Sequence, residues 1–120
     1  MHELSIAMSI VAVVEEEAAG LTAECVKRVF VKVGALSGVV EDALQFSYAL
    51  ASAGTSLDGT TLVIERVPIL VFCPTCRTES PVVSMQQMHC AECGTAGGDI
   101  VQGRELLVTG LELRAVEHVR

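Results

Sequence analysis

The chain has 120 residues, enough for one modest core and a smaller satellite lobe. Apolar residues make up 51% and aromatics 3%, so the core must be aliphatic, and no apolar run reaches the uninterrupted length of a membrane span. The formal charge of −7 repels nucleic-acid phosphates and suits a cation-handling protein or a partner with a basic face.

Residues 4–19 read as a helix, with Leu4, Ala7, Met8, Val11, Val14 and Ala18 on one face and Gly20 as its stop. Glu15, Glu16 and Glu17 read as its solvated end. Residues 25–33 alternate as a strand, Val29, Val31 and Val33 on one side and Arg28, Phe30 and Lys32 on the other. Gly34 to Gly38 is a turn. A second helix is expected over 41–53, with Ala43, Phe46 and Leu50 inward and Tyr48 as a packing residue, ending near Gly54. After a Ser/Gly/Asp loop, Thr61 to Phe72 is extended and interrupted at Pro68, and it leads directly into Cys73.

Cys73-Pro74-Thr75-Cys76 is followed, after thirteen residues, by Cys90-Ala91-Glu92-Cys93. Each CxxC turn offers two thiolates to one side of a tetrahedral ion, and Gly94 suits the tight turn of the second knuckle. A structural Zn²⁺ site is the expectation. A secreted disulfide framework would leave Cys25 odd, and the start Met1-His2-Glu3 lacks the cationic and apolar segments of an export signal. Cys25 reads as a small buried apolar residue. Reduced cysteines without that signal point to the cytoplasm. Gly94, Gly97, Gly98 and Gly103 give a glycine-rich exit, and Leu111, Leu113 and Ala115 alternate with Glu112, Arg114 and Val116 in a last strand.

The order is helix, strand, helix, strand, metal lobe, strand. It implies an α+β fold, a small mixed sheet of about three strands with two helices, carrying an inserted zinc-ribbon-like lobe. The expected division is 1–71 with 104–120 for the α+β part and 72–103 for the lobe.

No phosphate-binding glycine loop and no nucleophile elbow occurs, so nothing indicates an enzyme. His89 abuts Cys90 and could replace a thiolate, but four cysteines suffice, so it reads as a solvated neighbour. His118 lies in a terminal Glu-His-Val-Arg tail and carries little information. His2 stands out by its address. The Met1 amine, the His2 backbone nitrogen and imidazole, and next the Glu3 backbone nitrogen lie within one short stretch. Such nitrogens can surround Ni²⁺ or Cu²⁺ in a tetragonal plane. The competing reading is an exposed histidine that binds nothing.

Met1-His2-Glu3-Leu4-Ser5 before an aliphatic helix ending in glutamates resembles the start of the HypA/HybF hydrogenase-maturation nickel chaperones. So does Val31-Lys32-Val33-Gly34-Ala35-Leu36-Ser37, and the paired CxxC motifs and Leu111-Glu112-Leu113 fall in family positions. The resemblance covers essentially the whole chain. It implies that Cys73, Cys76, Cys90 and Cys93 hold structural zinc and that His2 is a nickel ligand, with the Met1 amine and the Glu3 backbone. Some relatives carry a nickel-proximal acidic residue just after the Gly-x-x-Ser turn. Here that place reads Val39-Val40-Glu41-Asp42, which leaves Glu41 and Asp42 as displaced candidates. A nickel-proximal histidine in the zinc lobe, seen in certain relatives, has no clear counterpart. The resemblance implies a nickel-handling GTPase and the large subunit of nickel–iron hydrogenase as partners, with urease maturation proteins in some organisms.

Two other classes compete. A zinc-ribbon nucleic-acid module needs clustered basic and aromatic side chains, yet Arg77 faces Glu79 and Glu92 between Cys73 and Cys93. A cytoplasmic zinc-ribbon interaction module, or a rubredoxin-like redox protein in which iron takes the four thiolates, would do without nickel delivery.

Overall fold

The computed structural model describes residues 2–19, 25–82, 89–90, 92–95 and 98–114. Its elements run α1 (Glu3–Glu17), β1 (Val26–Gly34), α2 (Glu41–Ser52), β2 (Thr61–Val67), β3 (Ile69–Cys73), β4 (Thr78–Val82), β5 (Asp99–Gln102) and β6 (Leu106–Leu113). They form two three-stranded sheets, ordered β2-β1-β6 and β4-β3-β5. The expected α+β class with a small three-stranded sheet, two helices and a cysteine-bearing lobe is what folds. The chain divides into two compact units, 1–31, 39–64 and 108–120 in one and 32–38 with 65–107 in the other.

β1 buries Val29, Val31 and Val33 as its alternation predicts. α1 packs against α2. Its buried face is Ala7, Ile10, Val11, Val14 and Ala18, whereas Leu4 and Met8 are 47% and 59% exposed. This corrects the expected face, and the cause is angular. At ~100° per residue, Met8 stands roughly 100° from the middle of the buried stripe, and Ile10 lies within it. Leu4 sits in the first turn, where a side chain leans back past the end of the helix. The stop expected at Gly20 lies outside the described residues. The helix ends earlier, with Ala18 N–H donating to the Val14 carbonyl and Ala19 N–H to that of Glu16.

The expected inward face of α2 is also corrected. Leu44, Ser47, Tyr48 and Ser52 are buried, while Phe46 and Leu50 are 68% and 55% exposed. Polar anchors fix the rotation of this helix. The Tyr48 hydroxyl lies 2.6 Å from Thr60 Oγ1, and Gln45 Nε2 donates to the Leu62 carbonyl at 2.8 Å. Burial pushes the Tyr48 phenol up from its ordinary range, with the Thr60 hydrogen bond opposing. Tyr48 is thus the packing residue the sequence suggested. Cys25 is half-buried rather than buried, and its carbonyl accepts from Arg114 N–H at 2.6 Å. Ala115 and Val116, expected to continue the last strand, lie outside the described residues.

In the second unit, Pro68 divides the long extended segment into β2 and β3. β3 is central and antiparallel to both neighbours, with Ile69 opposite Val82, Cys73 opposite Thr78, and Val71 opposite Ile100. Among the described residues, one buried cluster of this unit is Ile69, Val71 and Val82, with half-buried Leu36 and Ile100 packed on it.

The stretch Gly34–Ser37 is laced into this unit by its backbone. Gly34 N–H donates to the Glu105 carbonyl at 2.6 Å, Ala35 N–H to Val67 at 2.9 Å and Leu36 N–H to Gly103 at 2.6 Å. A Cβ on Gly34 would overlap the Gly103 carbonyl, and Gly103 itself lies against Ile69 with φ 125°. Glycine at 34 is therefore required by contact, and glycine at 103 by backbone conformation. Gly34→Ala should destabilise this unit by about 2–3 kcal/mol, as overpacking against backbone that cannot yield. Thermal unfolding followed by circular dichroism checks it; an unchanged midpoint would contradict the contact.

Candidate metal centre

The two CxxC turns are built alike. In each, the residue after the second cysteine donates its backbone N–H to the carbonyl of the first: Arg77 to Cys73 at 2.7 Å and Gly94 to Cys90 at 2.9 Å. In each that residue is left-handed, Gly94 with φ 74° and Arg77 with φ 57°. The glycine was legible as a knuckle residue. Arg77 was not, because a non-glycine there is strained and nothing in its side chain announces the conformation.

The turns bring Cys73, Cys76, Cys90 and Cys93 together, with all four Sγ atoms within 4.8 Å of one another. Across the two turns, Cys73 Sγ lies 3.7 Å from Cys93 Sγ, and Cys90 Sγ lies 3.8 Å from Cys76 Sγ. Zinc–sulfur bonds of ~2.3 Å in a tetrahedron give edges of ~3.8 Å, so the thiol set fits a tetrathiolate ion. None of the five cysteines is in a disulfide.

Cys73 and Cys90 are buried, Cys76 half-buried and Cys93 exposed. Hydrogen bonds tune them unequally. The Thr95 hydroxyl, 2.9 Å away, and the Thr95 backbone hold the Cys93 thiol down at about 6. Backbone N–H groups of Cys93 and Glu92 lower Cys90, with Glu92 N at 3.4 Å from its sulfur. Cys76 is pushed up to about 12, because its thiol proton is shared with Cys93 and Cys90. Without an ion the cluster therefore keeps protons that a metal must displace. Cys90 N–H also donates to the Thr95 carbonyl at 2.9 Å, closing the second knuckle. Thr95 supports the site twice, and the sequence pattern of cysteines does not point to it. His89 is exposed beside Cys90 and is not part of the cluster.

His2 is exposed at the start of α1, its carbonyl accepting from Ile6 N–H at 3.1 Å, and it makes no side-chain capping bond. Met1 and His118 lie outside the described residues. Glu3 carries a feature absent from the sequence reading. Its Oε2 accepts from Val40 N–H at 3.1 Å, which ties the start of α1 to the start of α2. That bond holds the Glu3 carboxyl below its ordinary range, since it stabilises the ionised form. Glu41 and Asp42 follow at once in the first turn of α2. The two helix starts thus bring His2, Glu3 and the segment 40–42 into one neighbourhood, far from the cysteines along the chain. No described helix is long and apolar enough to cross a membrane.

The family model described as "Hydrogenase/urease nickel incorporation, metallochaperone, hypA" matches residues 1–113. Over 112 residues the chain is 47% identical to the hydrogenase maturation factor HypA of Chloroflexus aggregans, covering 93% of this chain and 98% of that one. Over 114 residues it is 41% identical to the HypA of Streptomyces avermitilis, covering 92% and 86%. In fold it is similar to the solution structure of the Ni metallochaperone HypA from Helicobacter pylori. The TM-score is 0.65 at 24% identity, covering 97% and 100% of the two chains. A second HypA solution structure gives 0.68 at 24%, covering 94% and 96%.

Proposed function

The chain belongs to the HypA family of hydrogenase/urease nickel-incorporation metallochaperones, and from that membership we propose that it binds Ni²⁺ at its N-terminus and delivers it for maturation of nickel–iron hydrogenase. The observation that carries this reading is a family match running from residue 1 to residue 113, so both the chain start and the cysteine lobe are included. The protein works as a binding partner without turnover, in the cytoplasm, with Ni²⁺ as cargo. Its division of labour follows the chain: 1–71 with 104–120 handles nickel, and 72–103 is the zinc lobe. Cys73, Cys76, Cys90 and Cys93 hold structural Zn(II), which supplies cross-linking and no chemistry of transfer.

At the nickel end, the Met1 amine, the His2 imidazole and backbone nitrogen, and the Glu3 backbone nitrogen are the ligands. Exposure of His2 supports this role, because a cargo site must be reachable by a receiving protein. The Glu3 carboxylate accepts from Val40 N–H through Oε2, and the proposed contribution of Glu3 to the ion is its backbone nitrogen. Planar nitrogen ligation leaves the faces of the ion open, so an incoming ligand can attach before the old ones leave. Glu41 and Asp42 stand near enough in sequence to the helix α2 start to act as such intermediate carboxylates. The partners are a nickel-handling GTPase and the hydrogenase large subunit, with urease maturation proteins in some organisms of the family, and no nucleic acid.

The test uses a hydrogenase-producing cell lacking its own nickel chaperone. The native chain should restore hydrogenase activity at limiting nickel and co-purify with the maturation GTPase. The His2→Ala variant should fail at limiting nickel and be bypassed by excess nickel. Restoration by His2→Ala at limiting nickel would remove the proposed mechanism.

A further inference from the structure

Between α1 and β6 lies an open-sided cleft of about 300 Å³, lined by Val13, Val14, Glu17, Val108, Gly110 and Leu111 among others. We propose that it docks an extended segment of a partner protein, rich in aliphatic and basic residues, added as a strand along the free edge of β6. The proposal goes beyond nickel delivery and does not depend on it.

Three observations carry it. The first is the edge itself. β6 ends its sheet among the described residues, with β1 on its other side. Edge strands are ordinarily guarded by lysine, proline or inward charge. β6 reads Leu106-Leu107-Val108-Thr109-Gly110-Leu111-Glu112-Leu113, and its one charge, Glu112, is already paired with Arg28 of β1. Leu113 is exposed. Such an edge offers a backbone ladder to a passing strand.

The second is Gly110. Its φ is not left-handed, and among the described residues an added Cβ would meet nothing within 4 Å. Neither backbone conformation nor packing against the described residues requires glycine here. A glycine inside a strand weakens it and commonly marks a place where another backbone comes close.

The third is charge, and it selects the occupant. α1 ends in Glu15, Glu16 and Glu17 with no basic residue in its last turn, so the acidic side chains add to the negative end of the helix dipole. Glu17 is the charged member of the cleft lining, beside aliphatic walls. A Lys or Arg answers this arrangement with its stem along the valines and its cation at Glu17. A second copy of the chain does not. It would bring another β6, whose only charge is acidic, and another net charge of −7.

The test is a ¹⁵N NMR titration of the zinc-loaded full chain with a blocked peptide Lys-Val-Arg-Val-Lys-Val, against Glu-Val-Glu-Val-Glu-Val. Saturable shifts are expected at 13–17 and 108–113 for the basic peptide, weakening with added salt, and the acidic peptide should bind at least about tenfold more weakly. Gly110→Val should keep the thermal midpoint and lose binding at least about tenfold, and Glu17→Lys should reverse the peptide preference. The proposal is overturned if neither peptide shifts these residues at about 1 mM, if both bind equally, or if Gly110→Val binds as the native chain does. A dimer in sedimentation that Gly110→Val dissociates would also overturn it, by assigning the edge to self-association. If Gly110→Val does not fold, an unchanged preference in Glu17→Lys overturns it alone.

Discussion

Cys90→Ser, or removal of metal by a strong chelator, is expected to unfold the unit formed by residues 32–38 and 65–107. The reason lies in how little else holds it. Among the described residues its buried aliphatic cluster is Ile69, Val71 and Val82, with Leu36 and Ile100 at the margin. A core of that size does not stabilise a unit of this length without a staple. A zinc tetrathiolate supplies ~10 kcal/mol or more in small zinc domains. Cys90 is buried, so its serine variant loses a ligand and leaves a hydroxyl in an apolar place. α1 and α2 should keep their helicity, because none of the four cysteines belongs to the first unit.

Acid should act in the same direction. The Cys93 thiol is held down at about 6 by Thr95, so its thiolate form is favoured above that pH and lost below it. Protons then compete for the sulfurs, and metal affinity falls as pH falls. Elemental analysis and dispersion of the amide spectrum read the result. One zinc per native chain is expected, with little in Cys90→Ser and collapsed dispersion for β3 to β5. A red protein containing iron would assign the cluster to redox chemistry. A Cys90→Ser variant with full zinc and an unchanged spectrum would contradict the account.

Four thiols at CxxC spacing were readable because their chemistry is local: spacing alone sets the turns, and the turns set the tetrahedron. β1 was readable because one face meets the interior, so Val29, Val31 and Val33 alternate with Arg28, Phe30 and Lys32. The helix faces were misread in their rotation. Ala43, Phe46 and Leu50 share one side of α2, yet Tyr48 and Gln45 turn the helix by bonding Thr60 and Leu62, partners that no period within the helix encodes. Met8 shows the same error on α1. β4 and β5 escaped notice because they carry Thr78, Glu79, Ser80 and Asp99, and they are strands only through pairing with β3. The demand for glycine at 34 comes from Gly103, a contact set by the fold. Glu3 was legible only for its backbone, since its carboxylate finds Val40 through the approach of two helix starts.

Nickel affinity should depend on the chain start and not on the cysteine lobe. At the proposed site Ni²⁺ must displace protons from the Met1 amine and a backbone amide. Binding should therefore weaken as pH falls. Any residues placed before Met1 convert its amine into an amide and remove one ligand. His2→Ala removes another and leaves the backbone intact. Each change should cost at least about a hundredfold in affinity, ~2.7 kcal/mol. Zinc content should not change in either form, because the thiol cluster contains no residue from the chain start. The native fold should also survive, since His2 is exposed and its side chain caps nothing. Calorimetry with Ni²⁺ on the native, His2→Ala and N-terminally extended forms separates the possibilities. Loss in both altered forms with zinc retained assigns nickel to the chain start. Loss in His2→Ala alone keeps the imidazole and discards the amine. Equal affinity in all three would move the nickel site elsewhere, and Glu41 and Asp42 at the start of α2 would be the first carboxylates to replace.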